Sequence, residues 1–211
     1  MTSLALTLPA FTVAPAADAD RRGPGIIVVH EGNGMSPQLL RVCQRFAAQG
    51  YAVGAPDVFW RFGGSNPEAR DNPFGRLRHA DGLADCVDVA GRLRAMGATK
   101  VGITGFCMGG GYAYMGATGD TGFDAAVAFY GGGIAQHLGA ARTPLLCFFG
   151  GNDEWIPRAD IAKVEAAHSG QVIVYEDAEH GFMRDGSASY HETAAPDAWQ
   201  RTLAFFAEHL S

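Results

Sequence analysis

Apolar residues in this chain fall in short solid runs separated by polar, glycine-rich segments. The runs "GIIVVH" (25–30), "YAVGAPD" (51–57), "KVGITGF" (100–106), "FDAAVAFYG" (123–131), "TPLLCFFG" (143–150) and "QVIVYE" (171–176) lack the alternation of a strand with one wet face. They read as strands buried on both sides. Between them lie stretches with helical spacing. "SPQLLRVCQRFAAQG" offers Ser36 as N-cap, Pro37 at the first helical position and Gly50 as the stop. "ADGLADCVDVAGRLRAMG" places Leu83, Val87, Ala90 and Leu93 or Arg94 on one face, and "MGGGYAYMGA" is a small-residue helix behind a strand. "PDAWQRTLAFFAEHL" carries Trp199, Leu203, Phe206 and Leu210 on one stripe. At the start, alternation at Leu4, Leu6 and Leu8 suggests an edge strand, and the irregular segment 59–78 suggests a cover.

Apolar strands alternating with helices imply an α/β fold, a mostly parallel sheet covered on both faces. Length adds the expectation of one domain spanning 1–211. The 29 glycines punctuate the ends of runs and form no flexible tract. In sheets of this kind ligands bind beyond the carboxyl ends of the strands. The segments at those ends are "HEGNG", "PDVFWRFGG", "GFCMGG", "YGGG", "GGNDEW" and "EDAEHGF", and nearly every chemically suggestive residue sits in one of them.

Charge and cysteines narrow the classes. A formal charge of -6 with no basic run gives no footprint for nucleic acid or an anionic membrane. The four cysteines are far apart, without a CxxC pair, which argues against a zinc site or a disulfide framework. The amino terminus makes a poor signal peptide and no run is long enough to cross a bilayer, so a reducing cytoplasm is the expected location.

"GFCMG" fits G-x-C-x-G, a strand–turn–helix elbow with cysteine as nucleophile. Glycines at 105 and 109 leave room for close backbones, Cys107 stands at a helix start that favours a thiolate, and the Met108 amide faces an oxyanion. The competing reading, a small buried thiol, suits Cys43, Cys86 and Cys147 better. A thiol with an ordinary pKa near ~8.5 needs a base. Of seven histidines, His79, His137, His168, His191 and His209 read as solvated and His30 as an internal hydrogen-bonding group. His180 follows the last strand. Asp153, with Glu154 as fallback, lies between nucleophile and base, so that Cys107, Asp153 and His180 run in the nucleophile–acid–base order of α/β-hydrolases. Glu31 follows a buried strand as either a used carboxylate or a solvated loop acid, and Gly32 is placed to give a second oxyanion amide.

The stretches "HEGNG", "QGYAVGAPDVF", "KVGITGFCMGG", "FYGGG", "FFGGNDEWIP" and "YEDAEHGFMR" resemble, in order and spacing, the dienelactone hydrolase family of α/β-hydrolases. The resemblance implies Cys107 as nucleophile, His180 as base, Asp153 as its partner, and Gly32 and Met108 as oxyanion donors. It implies that Glu31 pairs with the resting thiol and that Arg184 binds a substrate carboxylate. A second carboxylate-binding arginine falls in a region that is shorter here, where Arg70 and Arg76 are both candidates and Phe59 is a further substrate contact. The implied activity is metal- and cofactor-free opening of a small lactone such as dienelactone, or of an ester, through an acyl-cysteine. The rivals are a broad carboxylesterase or thioesterase and, from another class, a non-catalytic thiol-bearing binding or redox-sensing protein. A small molecule is the expected partner, with neither nucleic acid nor membrane, and a monomer or weak homodimer the expected assembly.

Overall fold

The computed structural model describes residues 10–13, 23–65 and 73–211. The edge-strand reading of Leu4, Leu6 and Leu8 therefore lies outside the described residues. Among the described residues seven strands form one sheet: β1 (Ala10–Val13), β2 (Gly25–Val29), β3 (Ala52–Pro56), β4 (Val101–Phe106), β5 (Ala125–Phe129), β6 (Leu145–Gly150) and β7 (Val172–Tyr175). Their order is β1-β3-β2-β4-β5-β6-β7, with β1 antiparallel to β3 and every other pairing parallel. Every residue of β2, β4, β5 and β6 is buried, as the solid apolar runs required.

Five α-helices among the described residues cover the sheet: α1 (Pro37–Ala48), α2 (His79–Ala95), α3 (Met108–Thr118), α4 (Arg158–Ala167) and α5 (Ala194–Leu210). Phe46 of α1 packs on Trp199 and Phe206 of α5, which puts these two on one face. On the other, Gly82 of α2 lies against the Tyr112 ring of α3, and Tyr114 of α3 reaches His168 at the end of α4. A Cβ on Gly102 would meet Phe206 of α5, whereas the next residue, Ile103, lies against Gly116 of α3. Alternation along one strand thus feeds both layers.

Local chemistry sets the helix ends. Ser36 Oγ accepts the Leu39 amide at 3.2 Å, Pro37 opens α1, and Gly50 turns the chain away at φ +91°. In α2 the inner face differs from expectation. Gly82, Asp85, Cys86, Val89, Ala90 and Leu93 are buried, while Val87 is 37% exposed. Glycine and aspartate hide that face from a hydrophobicity reading: Gly82 admits the Tyr112 ring, and Asp85 is paired with Arg61 (2.8 Å) and Trp60 Nε1 (3.2 Å). The helix α4 goes unread in the sequence because only Ile161 and Val164 are buried along its ten residues.

Register partners Phe106, Phe129 and Phe148 stack across β4, β5 and β6 with centroids 4.8 and 5.0 Å apart, and Tyr175 continues the row at 6.1 Å. This aromatic floor sits at the carboxyl ends of the strands. The residues that leave those ends therefore emerge along one edge, on a rigid base.

Candidate active site

Cys107 occupies the turn between β4 and α3 at φ 54°, ψ -115°, a conformation costly for a residue with a Cβ. Its amide donates to Phe129 O at 3.1 Å and its carbonyl accepts from Gly111 at 3.2 Å, so both ends of the turn are fixed. A Cβ on Gly109 would stand 2.8 Å from His30 O, and one on Gly105 would stand 2.9 Å from Gly109 Cα. Only glycine at both positions lets α3 approach the sheet closely enough to hold the elbow. The thiol is partly exposed on a cavity of about 530 Å³. The other cysteines are buried free thiols; burial pushes Cys43 and Cys147 up to about 12 and raises Cys86 as well.

Beyond β6, Asp153 is buried and divides its carboxylate. Oδ1 accepts the amides of Trp155 (2.8 Å) and Ile156 (3.0 Å), and Oδ2 accepts His180 Nδ1–H at 2.7 Å. Glu154, next door, is exposed, so the aspartate is the acid that the loop turns inward. His180 is 8% exposed. Burial alone would lower its pKa, but the Asp153 hydrogen bond and then the neighbouring Cys107 side chain outweigh that and push it up to about 9. Its Nε2 lacks a hydrogen bond of ordinary geometry within the described residues, although the Cys107 sulfur is near enough to act on the ring. The Nδ1–Asp153 bond leaves Nε2 as the edge available to a reacting group.

Glu31 begins the turn after β2, which the Gly34 amide closes on Glu31 O at 3.0 Å. The resemblance implied a pair with the resting thiol. Instead the carboxylate is held by Arg184, whose Nε donates to both oxygens (2.8 and 3.0 Å), and by Tyr130 Oη at 3.3 Å. Burial works against the Arg184 charge, but Glu31 more than offsets it and raises the guanidinium pKa. Gly32 and Met108 both line the cavity, and Met108 opens α3, where amides have no intrahelical acceptor.

The remaining site expectations fare differently. Phe59 is 2% exposed and packs its edge on the His30 ring at 4.8 Å, away from the cavity wall. Its segment folds inward because Asp57 accepts the amides of Phe59 and Ser65, which closes the loop over the core. Arg76 is exposed, with its guanidinium over the Phe62 ring at 4.9 Å, and does not line the cavity. Arg70 lies outside the described residues. His79 and His137, read as solvated, form an edge-on pair 5.7 Å apart on the cavity rim. His168 is a correction too: it is buried against Tyr114 Oη at 2.8 Å, and burial lowers its pKa.

Two residues with site contacts went unassigned in the sequence. Tyr130 has φ 35° and touches both Glu31 and His180; with Cys107 it is one of two non-glycine residues at positive φ among those described. Its place before three glycines at a strand end was the available signal. Trp155 stacks on His180 and had no signal beyond its neighbour Asp153. Among the described residues no cluster of three or more His, Cys, Asp or Glu is arranged to hold a metal, and no helix is long and apolar enough to cross a membrane.

Comparison with known proteins places the chain in a family. The model of the dienelactone hydrolase family matches residues 8–210. The chain belongs to the dienelactone hydrolase family. It is 32% identical to a protein of Salmonella typhimurium provisionally named a carboxymethylenebutenolidase, covering 96% of this chain and 83% of that one. A similarly named Synechocystis protein is 33% identical over 89% of this chain and 87% of its own. The crystal structure of a provisionally assigned dienelactone hydrolase from Klebsiella pneumoniae superposes with a TM-score of 0.84 at 31% identity, covering 95% and 93% of the two chains. Thermogutta terrifontis esterase 2 shares the fold at a TM-score of 0.72 and 20% identity, with 94% and 88% covered. As a dienelactone hydrolase family member, the chain is an α/β-hydrolase and a carboxylic-ester hydrolase.

Proposed function

We propose that the enzyme hydrolyses a small lactone or ester through an acyl-cysteine, with Cys107, His180 and Asp153 as its triad. The observation that carries this reading is the 2.7 Å Asp153–His180 bond beside a cysteine held at positive φ at the mouth of a cavity. The Cys107 thiolate attacks the carbonyl carbon, forming the S–C bond as the π pair moves onto oxygen. The amides of Gly32 and Met108 receive that oxyanion. Collapse breaks the C–O bond, and the leaving alkoxide takes the proton from His180. Water then gives His180 a proton as it attacks the thioester, and the second collapse expels the thiolate. One water is consumed per ester, and a lactone opens to a single hydroxy acid or its keto tautomer.

The Arg184–Glu31 pair supports a carboxylate-bearing substrate such as dienelactone, because a substrate anion would compete with Glu31 for the guanidinium and release it toward the thiol. The same reading has one domain acting without metal or organic cofactor. It also has a monomer or weak homodimer in a reducing cytoplasm, which four free cysteines suit. A broad carboxylesterase is favoured by a separate observation: most of the cavity wall is apolar, with Phe74, Tyr112, Met115, Ile134 and Ile156. Acid-quench mass spectrometry during turnover tests the chemistry. The acyl mass is expected on Cys107, absent in Cys107→Ala and undiminished by chelators; an active Cys107→Ala enzyme overturns the mechanism. Arg184→Ala separates the substrates, since only turnover of carboxylate-bearing esters should fall.

A further inference from the structure

Trp155 is 72% exposed, more than any other large apolar side chain described, yet it is not idle at the surface. Its indole stacks on the His180 imidazole with centroids 5.0 Å apart and planes 14° apart. The ring it covers is only 8% exposed, and its amide is tied to Asp153 Oδ1 at 2.8 Å. An exposed tryptophan adds little to the core, so packing does not account for its place. Among the described residues, Asp153 meets His180 at Nδ1, Cys107 lies toward Nε2, the Tyr130 ring stands edge-to-face with it at 5.0 Å and Trp155 covers the outer face.

We propose that Trp155 is a positioning residue for the acid–base step: its π face holds the His180 ring in line between Asp153 and Cys107 and favours the imidazolium over the neutral ring. The negative face of an indole attracts a cation and has no such attraction for neutral imidazole. Stacking therefore acts at the stage where His180 carries the proton destined for the leaving alkoxide. The loop after β6 in this way supplies His180 with both its acid and its wall, from residues two apart. The inference rests on His180 as the proton carrier.

Three variants test it: Trp155→Ala, Trp155→Phe and His180→Gln. An imidazolium in contact quenches indole emission and neutral imidazole does so far less. The emission of Trp155, taken as wild type minus Trp155→Phe, should rise as pH passes about 9, and His180→Gln should remove the step. In Trp155→Ala the His180 limb of the pH–rate profile should move down by roughly half to one unit, with kcat about tenfold lower. Trp155→Phe, which restores a π face, should recover most of both. An emission flat from pH 5 to 10 overturns the proposal, as does an unshifted profile in Trp155→Ala while His180→Gln is inactive; the catalytic reading survives either result. Turnover by His180→Gln overturns both together.

Discussion

At the scale of residues, His180 sits between opposing influences: burial disfavours its charge, and Asp153 with Cys107 favours it strongly enough to hold the proton to about pH 9. Its NMR titration should show a midpoint near 9, and both Cys107→Ser and Asp153→Asn should lower it toward the ordinary ~6.5. The sign for stability follows. A histidine whose pKa rises on folding stabilises below its unfolded pKa, and that contribution disappears as pH climbs from ~6.5 through the folded value. Asp153→Asn keeps an oxygen for the Trp155 and Ile156 amides, so its loss of Tm should be larger at pH 6 than at pH 10. Equal losses would place the cost in the loop instead. Glu31 invites a different measurement. Glu31→Gln frees Arg184, so KM for a carboxylate-bearing ester should fall while the acylation rate drops roughly tenfold or more. A rate unchanged across pH would remove Glu31 from thiol activation.

At the scale of elements, the turn after β2 is held by the loop after β3. His30 donates from Nδ1 to Glu31 O at 2.7 Å and accepts the Val58 amide on Nε2 at 3.2 Å, which sets its tautomer. Asp57 accepts Ser65 N and Oγ, each at 2.7 Å, and Phe59 N at 3.1 Å. Burial would raise its pKa, but the neighbouring His30 ring, 3.6 Å away, and the hydrogen bonds from Ser65 and Phe59 overcome it and hold the carboxyl down at about 2. A depressed carboxylate stabilises above its unfolded pKa, and that contribution is lost as pH falls through the folded value. Asp57→Ala should therefore cost about 1–3 kcal/mol at neutral pH by urea denaturation, and little near pH 2. Activity should fall as well, since the Glu31 and Gly32 backbone rests on this loop. Loss of stability without loss of activity would uncouple the two turns.

For the whole molecule, the decisive contact is the approach of α3 to the sheet. A Cβ at Gly109 would press on the backbone oxygens of Val29 and His30, where no side-chain rotamer can move aside. Gly109→Ala should cost at least ~3 kcal/mol in denaturation or abolish soluble folding. Near-native stability would mean that the elbow is looser than this geometry. The central parallel strands and their glycine-marked ends were legible because the runs of β2, β4, β5 and β6 are buried on both faces, a property that a run carries in its own composition; "QVIVYE" reads the same way, yet β7, at the edge of the sheet, is only half-buried. The inner face of α2 was not, because Asp85 is buried by a partner, Arg61, that lies outside the helix.

The sequence by itself determined the α/β architecture, the order Cys107–Asp153–His180 and the edge at which chemistry gathers. Periodicity reports burial within an element, and parallel strands send their loops to one side. Only the tertiary structure decided that Asp153 and not Glu154 meets His180, that Glu31 is held by Arg184, 153 residues away, that Phe59 is core, and that Trp155 covers the histidine. Those outcomes depend on how loops from strands distant in sequence lie beside one another. The register of the sheet sets that, and no local pattern in the chain records it.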